Sequence, residues 1–192
     1  MQMIRLAIFA SGTGSNARQL IDYFSGNKQI LVSLLVSNRK ECGALEIARK
    51  ATIPAINFTK EEFYNSSTVF NRLLAEKIDF IVLAGFLIKV PANILKAYEN
   101  KIINIHPALL PDFGGKGMYG LNVHKAVIES GKKESGITIH LVNEHYDEGR
   151  ILFQAKCPVI ENDTPEKLTA RVQELEHKHF PEVVERFISG KL

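Results

Sequence analysis

Five short apolar runs, at residues 4–10, 30–36, 53–58, 79–84 and Ile102–His106, alternate with stretches of helical periodicity. The runs are rich in Val, Ile and Leu, as strands buried on both faces are. The segments between them predict helices at 16–24, Gly43–Lys50, 68–77 and 92–98. Val69, Leu73 and Leu74 share one face of the third, and Pro91 suits the first turn of the fourth. Parallel strands need crossovers long enough to hold a helix. The alternation therefore predicts an α/β fold, a doubly wound, mostly parallel sheet with helices on both faces.

After His106 the pattern changes. A loop over 107–120 carries Gly114, Gly115, Gly117 and Gly120, and a helix is expected at Leu121–Glu129. Two strand-like runs, 137–142 and Ile151–Pro158, flank a polar link and predict an antiparallel hairpin. Asp163-Thr164-Pro165-Glu166 is a helix start, and the final helix should run to about Ser189. With 192 residues, 45% of them apolar, and no repeat or linker, the chain reads as a single domain over 1–192.

Lys and Arg number 24 against 21 Asp and Glu, and no basic stripe carries interleaved aromatics, so no nucleic-acid partner is expected. No apolar stretch approaches the ~20 residues of a membrane span, and no signal sequence opens the chain. Cys42 and Cys157 lie far apart without metal spacing and read as free thiols. A cytoplasmic protein without a membrane partner or a metal is expected, as monomer or homodimer.

Asn104 and His106 lie two apart on the fifth run, so they share a face at its end. An amide donor beside an imidazole serves acyl transfer, the one steadying an oxyanion and the other moving a proton. From the strand alone, a satisfied polar pair at a strand end is the favoured reading. Ser11-Gly12-Thr13-Gly14-Ser15-Asn16 joins the first strand to the first helix and forms a candidate phosphate cradle at a helix N-terminus. Gly12-x-Gly14-x-x-Ala17 also fits a dinucleotide fingerprint, with Arg39 where an NADP phosphate would be met. Asp147, followed by Gly149, reads as a turn residue unless its loop folds over His106, where its carboxylate would raise the imidazole pKa. Gln173 and Glu176 share a helix face that reads as solvated. Gly85, leaving the fourth run, could admit a flat ring or serve packing.

Taken in order, the Ser11–Asn16 loop, Val82-Leu83-Ala84-Gly85-Phe86, Asn104-Ile105-His106-Pro107-Ala108-Leu109-Leu110-Pro111, Gly136-Ile137-Thr138-Ile139-His140 leading to Asp147-Glu148-Gly149, and Thr169-Ala170-Arg171-Val172-Gln173 resemble the phosphoribosylglycinamide formyltransferase family over nearly the whole chain. The resemblance implies a Rossmann-like formyltransferase fold. It also implies transfer of a formyl group from 10-formyltetrahydrofolate, as co-substrate, to glycinamide ribonucleotide. Nucleotide and phosphate binding would fall to the N-terminal half, folate binding and catalysis to the C-terminal half. Matched residue by residue, Asn104, His106 and Asp147 are the catalytic trio, and Gly14, Ser15 and Asn16 bind the substrate phosphate. Gln173, Glu176 and Pro107 meet the ribonucleotide, replacing the solvated-face reading. Leu87, Ile88, Lys89 and Val90, with Asn143, Glu144, His145 and Tyr146, line the folate pocket. Relatives often carry Arg where this chain has Ile88, and near Ser67. Loop 112–121 is longer than in the shortest relatives, as a lid or a longer surface connection. Methionyl-tRNA formyltransferase and formyltetrahydrofolate hydrolase share the core but carry an extra domain not expected here.

Overall fold

The first strand, β1 (Ile4–Phe9), is apolar enough to sit at the centre of a sheet, and Leu6, Ala7, Ile8 and Phe9 have no solvent exposure. The computed structural model describes residues 3–192. After β1 come α1 (Ser15–Phe24), β2 (Ile30–Ser37), α2 (Gly43–Lys50), β3 (Ala55–Asn57), α3 (Lys60–Asn65), α4 (Thr68–Ala75), β4 (Phe80–Leu83), α5 (Ala92–Ala97) and β5 (Ile102–His106). Then follow α6 (Leu121–Glu129), β6 (Glu134–Leu141), β7 (Ile151–Pro158) and α7 (Pro165–Ile188). The seven strands lie in the order β3-β2-β1-β4-β5-β6-β7. β1 pairs in parallel with β2 and β4, and β2 with β3. β6 and β7 are antiparallel, with a register irregularity at Ile139/His140. This is the doubly wound α/β sheet with a C-terminal antiparallel hairpin and a final helix that the sequence predicts.

The chain divides into two compact units, one ending at Ile103 and one running from Asn104 to Leu192. In the first, the strand order reverses between β1 and β4, a switch point where the following loops diverge and leave a crevice. Those loops are tied together: Ser11 N–H donates to the Gly85 carbonyl at 3.1 Å, and Leu87 N–H donates to Ser11 Oγ at 3.1 Å. Ser11 Oγ donates in turn to Asn38 Oδ1 at 2.6 Å. Phe9, Phe58, Phe63 and Phe86 form one aromatic cluster beneath them, with Phe9 and Phe86 edge to face at 5.2 Å.

In the second unit, α7 buries Leu168, Val172, Phe180, Val183 and Val184 on one stripe. Its start is fixed by the Thr164 cap and by Arg171, which donates to both carboxylate oxygens of Asp163 at 2.8 and 3.1 Å and to the Pro158 carbonyl at 2.7 Å. Arg171, part of the last motif, thus anchors the helix.

Three local expectations differ from the structure. α3 has no counterpart in the periodicity reading, yet Thr59 and Glu62 close a reciprocal capping box that starts it. Pro91 is the N-cap of α5 rather than a first-turn residue. β6 begins three residues earlier than the apolar run, because Glu134, Ser135 and Gly136 pair with β7 despite carrying no large apolar side chain.

Candidate active site

Period-two alternation along β5 places Asn104 and His106 on one face, as expected, with His106 only 3% exposed. The loop between β6 and β7 brings Asp147 to the same place. Its Oδ2 lies 3.7 Å from His106 Nδ1 and its Oδ1 lies 3.5 Å from His140 Nε2. Asp147 adopts φ 57°, a left-handed conformation that a short polar side chain tolerates better than most.

His140 is the residue the sequence reading passes over. From β6, its Nε2 sits 3.0 Å from Asn104 Nδ2, and its Nδ1 donates to the Leu141 carbonyl at 2.8 Å. A carbonyl only accepts, so the hydrogen is on Nδ1. In the neutral ring Nε2 is then the acceptor for the Asn104 amide. The signal was available: Thr138 and His140 are two polar residues, two apart, in the otherwise apolar run 137–142. Thr138 Oγ1 donates to the Ala108 carbonyl and accepts from Leu110 N–H and from Gln154 Nε2. Gln154 also donates to the Leu110 carbonyl at 3.0 Å. One polar face of the hairpin thereby fixes both the amide of Asn104 and the loop that leaves β5.

The glycine-rich loop then returns over the pair. His106 Nε2 donates to the Phe113 carbonyl at 2.8 Å, and Gly115 N–H donates to Asp147 Oδ2 at 2.9 Å. Gly114 packs so closely that a Cβ there would stand 2.7 Å from Leu110 Cδ2 and 3.2 Å from Asp147 Cβ.

Both nitrogens of His106 face acceptors, so its cation would keep the hydrogen bond to the Phe113 carbonyl and stand 3.7 Å from the Asp147 carboxylate. Burial nonetheless prevails and holds the His106 pKa below the ordinary value, against the raising effects of Asp147 and the Phe113 carbonyl. The expectation that Asp147 would raise the imidazole pKa is thus right for the pair interaction and reversed in the net. Asp147 shows the opposite balance: burial raises its pKa, but the His140 ring when its Nε2 carries a proton, the charge His106 can carry and the Gly115 N–H together pull it below the usual carboxylate value. The result is a carboxylate beside an imidazole whose neutral form burial favours and whose protonation negative charge developing nearby would promote.

Gly14 caps α1 with φ 82°. A Cβ on Gly14 would stand 2.7 Å from Ala44 Cα, and one on Gly43 would run into the Thr13 carbonyl. Gly14 is therefore required by the backbone contact with α2, whereas a Cβ on Gly12 would meet nothing within 4 Å. Ser15 opens α1 and Asn16, in its first turn, is 8% exposed. Leu87 and Lys89 are exposed and Ile88 half-buried, while Val90 is 4% exposed and belongs to the core. Asn143, Glu144, His145 and Tyr146 are exposed, with Asn143 Oδ1 accepting from His145 N–H at 2.9 Å. Pro107 is half-buried; Gln173 is exposed, but Glu176 is 8% exposed, so the solvated-face reading fails for that residue. No group of three metal-ligating side chains occurs among the described residues. No helix among them is long and apolar enough to cross a membrane.

An amide, two imidazoles and a carboxylate are thus joined at one place, and the chain belongs to the formyl transferase family, whose pattern it matches over residues 4–184. It is 49% identical over 186 residues to the chloroplastic phosphoribosylglycinamide formyltransferase of Arabidopsis thaliana, covering 94% of this chain and 64% of that protein. It therefore spans a little under two thirds of the plant relative's length. The phosphoribosylglycinamide formyltransferase of Haemophilus influenzae is 34% identical over 195 residues, covering 99% of this chain and 90% of that one. The crystal structure of phosphoribosylglycinamide formyltransferase from Anaplasma phagocytophilum matches with a TM-score of 0.89 at 33% identity, covering 99% of this chain and 89% of that one.

Proposed function

We propose that this chain transfers the formyl group of 10-formyltetrahydrofolate to the amine of glycinamide ribonucleotide, giving formylglycinamide ribonucleotide and tetrahydrofolate. The observation that carries this reading is the Asn104 amide, held by His140 at 3.0 Å, on the strand face that also presents His106 with Asp147 at 3.7 Å.

The amine attacks the formyl carbon, a C–N bond forms, and the carbonyl oxygen becomes an oxyanion. One N–H of Asn104 is taken by His140, which aims the other at that oxyanion. Negative charge there opposes the burial effect that keeps His106 neutral, so the imidazole takes up the proton released by the attacking amine. Asp147 stabilises the resulting cation. Collapse breaks the bond to the folate nitrogen, which receives the proton. Gly14, Ser15 and Asn16 hold the ribonucleotide phosphate at the N-terminus of α1. Gln173, Glu176 and Pro107 meet the rest of the ribonucleotide. Leu87, Ile88 and Lys89, with residues 143–146, form the folate contacts, and Val90 supports them from the core.

Purified protein is mixed with 10-formyltetrahydrofolate, and tetrahydrofolate formation is followed with and without glycinamide ribonucleotide. Product dependent on the ribonucleotide is expected. Formate release in its absence would make the chain a hydrolase instead.

A further inference from the structure

A cavity of about 340 Å³ lies beside the glycine-rich loop, lined by Leu109, Asp112, Phe113, Lys132, Lys133, Glu134 and Ser135. Ser135 is 2% exposed, and its Oγ has no hydrogen-bond partner. A buried hydroxyl without a partner is an uncommon feature of a folded chain and points to a group that is meant to meet it. The lining carries two lysines and two carboxylates, and both carboxylates are taken by partners, one of them from outside the lining. Lys132 pairs with Asp112 at 2.9 Å, and Glu134 is engaged by Lys156 at 2.9 Å. Lys133 has no ion pair among the described residues. Leu109 and Phe113, both half-buried, supply an apolar wall.

We propose that this cavity binds a small organic carboxylate, its charge met by Lys133 and the Ser135 hydroxyl and its apolar body packed on Leu109 and Phe113. The volume holds about ten atoms of water size, enough for a single ring with its carboxylate. The site is coupled to the catalytic pair through the backbone, because Phe113, one wall of the cavity, also supplies the carbonyl that accepts from His106 Nε2. Two residues on, Gly115 donates to Asp147. A ligand that moves Phe113 moves both contacts. Neither binding nor coupling depends on the transfer reaction proposed above.

Benzoate is the probe, with benzamide as its uncharged counterpart, and binding is read from backbone and imidazole resonances of the full chain by NMR. Benzoate should produce saturable shifts at residues 109–113 and 132–135, with smaller shifts at Gly115 and the His106 ring. Lys133→Gln and Ser135→Ala should each weaken it about tenfold. Lys133 is exposed, so its variant keeps the fold and the test stands even if Ser135→Ala is poorly folded. Equal binding of benzamide, shifts confined to other surfaces, or an unchanged affinity in Lys133→Gln would overturn the proposal.

Discussion

Asn104 Nδ2 stands 3.0 Å from His140 Nε2, and His140 commits its other nitrogen to the Leu141 carbonyl at 2.8 Å. The ring therefore dictates which way the amide of Asn104 points. His140→Ala should leave the fold intact but free that amide to rotate. Loss of a well-aimed oxyanion donor costs on the order of a hundredfold or more, and a misaimed one should cost roughly 10- to 100-fold in kcat. Steady-state kinetics with both substrates saturating would show this, and an unchanged kcat would remove His140 from the site.

Asp147→Asn is the cleanest test of the carboxylate. Asn tolerates the φ of 57° and keeps the shape, so only charge is lost. Asp147 raises the pKa of His106 against the stronger lowering effect of burial. Without that charge the His106 pKa should fall further. The acid limb of the kcat/KM profile should move to lower pH while the plateau drops by about a hundredfold. A limb moving to higher pH would contradict the assignment.

His124 is 3% exposed, its Nδ1 is without a partner, and its pKa is pushed down to about 4 by burial and by the charge on His106. An unfolded chain titrates this ring near 6.5. The neutral ring's contribution to stability is thus complete above pH 6.5, falls as the unfolded chain takes up a proton the folded one refuses, and is gone below about pH 4. Allowing for solvent screening, about 2 kcal/mol is at stake. Urea unfolding at pH 7 and pH 4.5 should show a shallower drop in His124→Gln than in the parent chain.

The two glycines of the first loop should behave differently. Gly14→Ala must adopt φ 82° and press its Cβ to 2.7 Å from Ala44 Cα, costing about 2–3 kcal/mol. Gly12→Ala meets nothing within 4 Å and should stay within about 0.5 kcal/mol of the parent. Chemical denaturation decides it, and equal losses would show that the contact with α2 is not what selects glycine at position 14.

The central strands were legible because burial on both faces leaves an unbroken apolar run, and the facing of Asn104 and His106 was legible because they sit two apart on one strand. α3 was legible only through its Thr59 and Glu62 cap, since six residues are too few for a period to show. His140 escaped because its importance rests on a residue 36 positions away. The net direction of the His106 pKa also could not be read from spacing. It depends on how deeply the ring is buried, which the neighbouring charges do not reveal.

Loop 112–120 reaches His106 and Asp147 through peptide groups: a carbonyl at Phe113 and an N–H at Gly115. Every amino acid has that carbonyl, and all but proline have that N–H. Substitutions along this stretch can therefore accumulate with little effect on the two contacts, so long as the chain can still take its path. Adding or removing one residue shifts which peptide unit arrives at each partner. In this loop a change of length should disturb the two contacts more than a change of side chain.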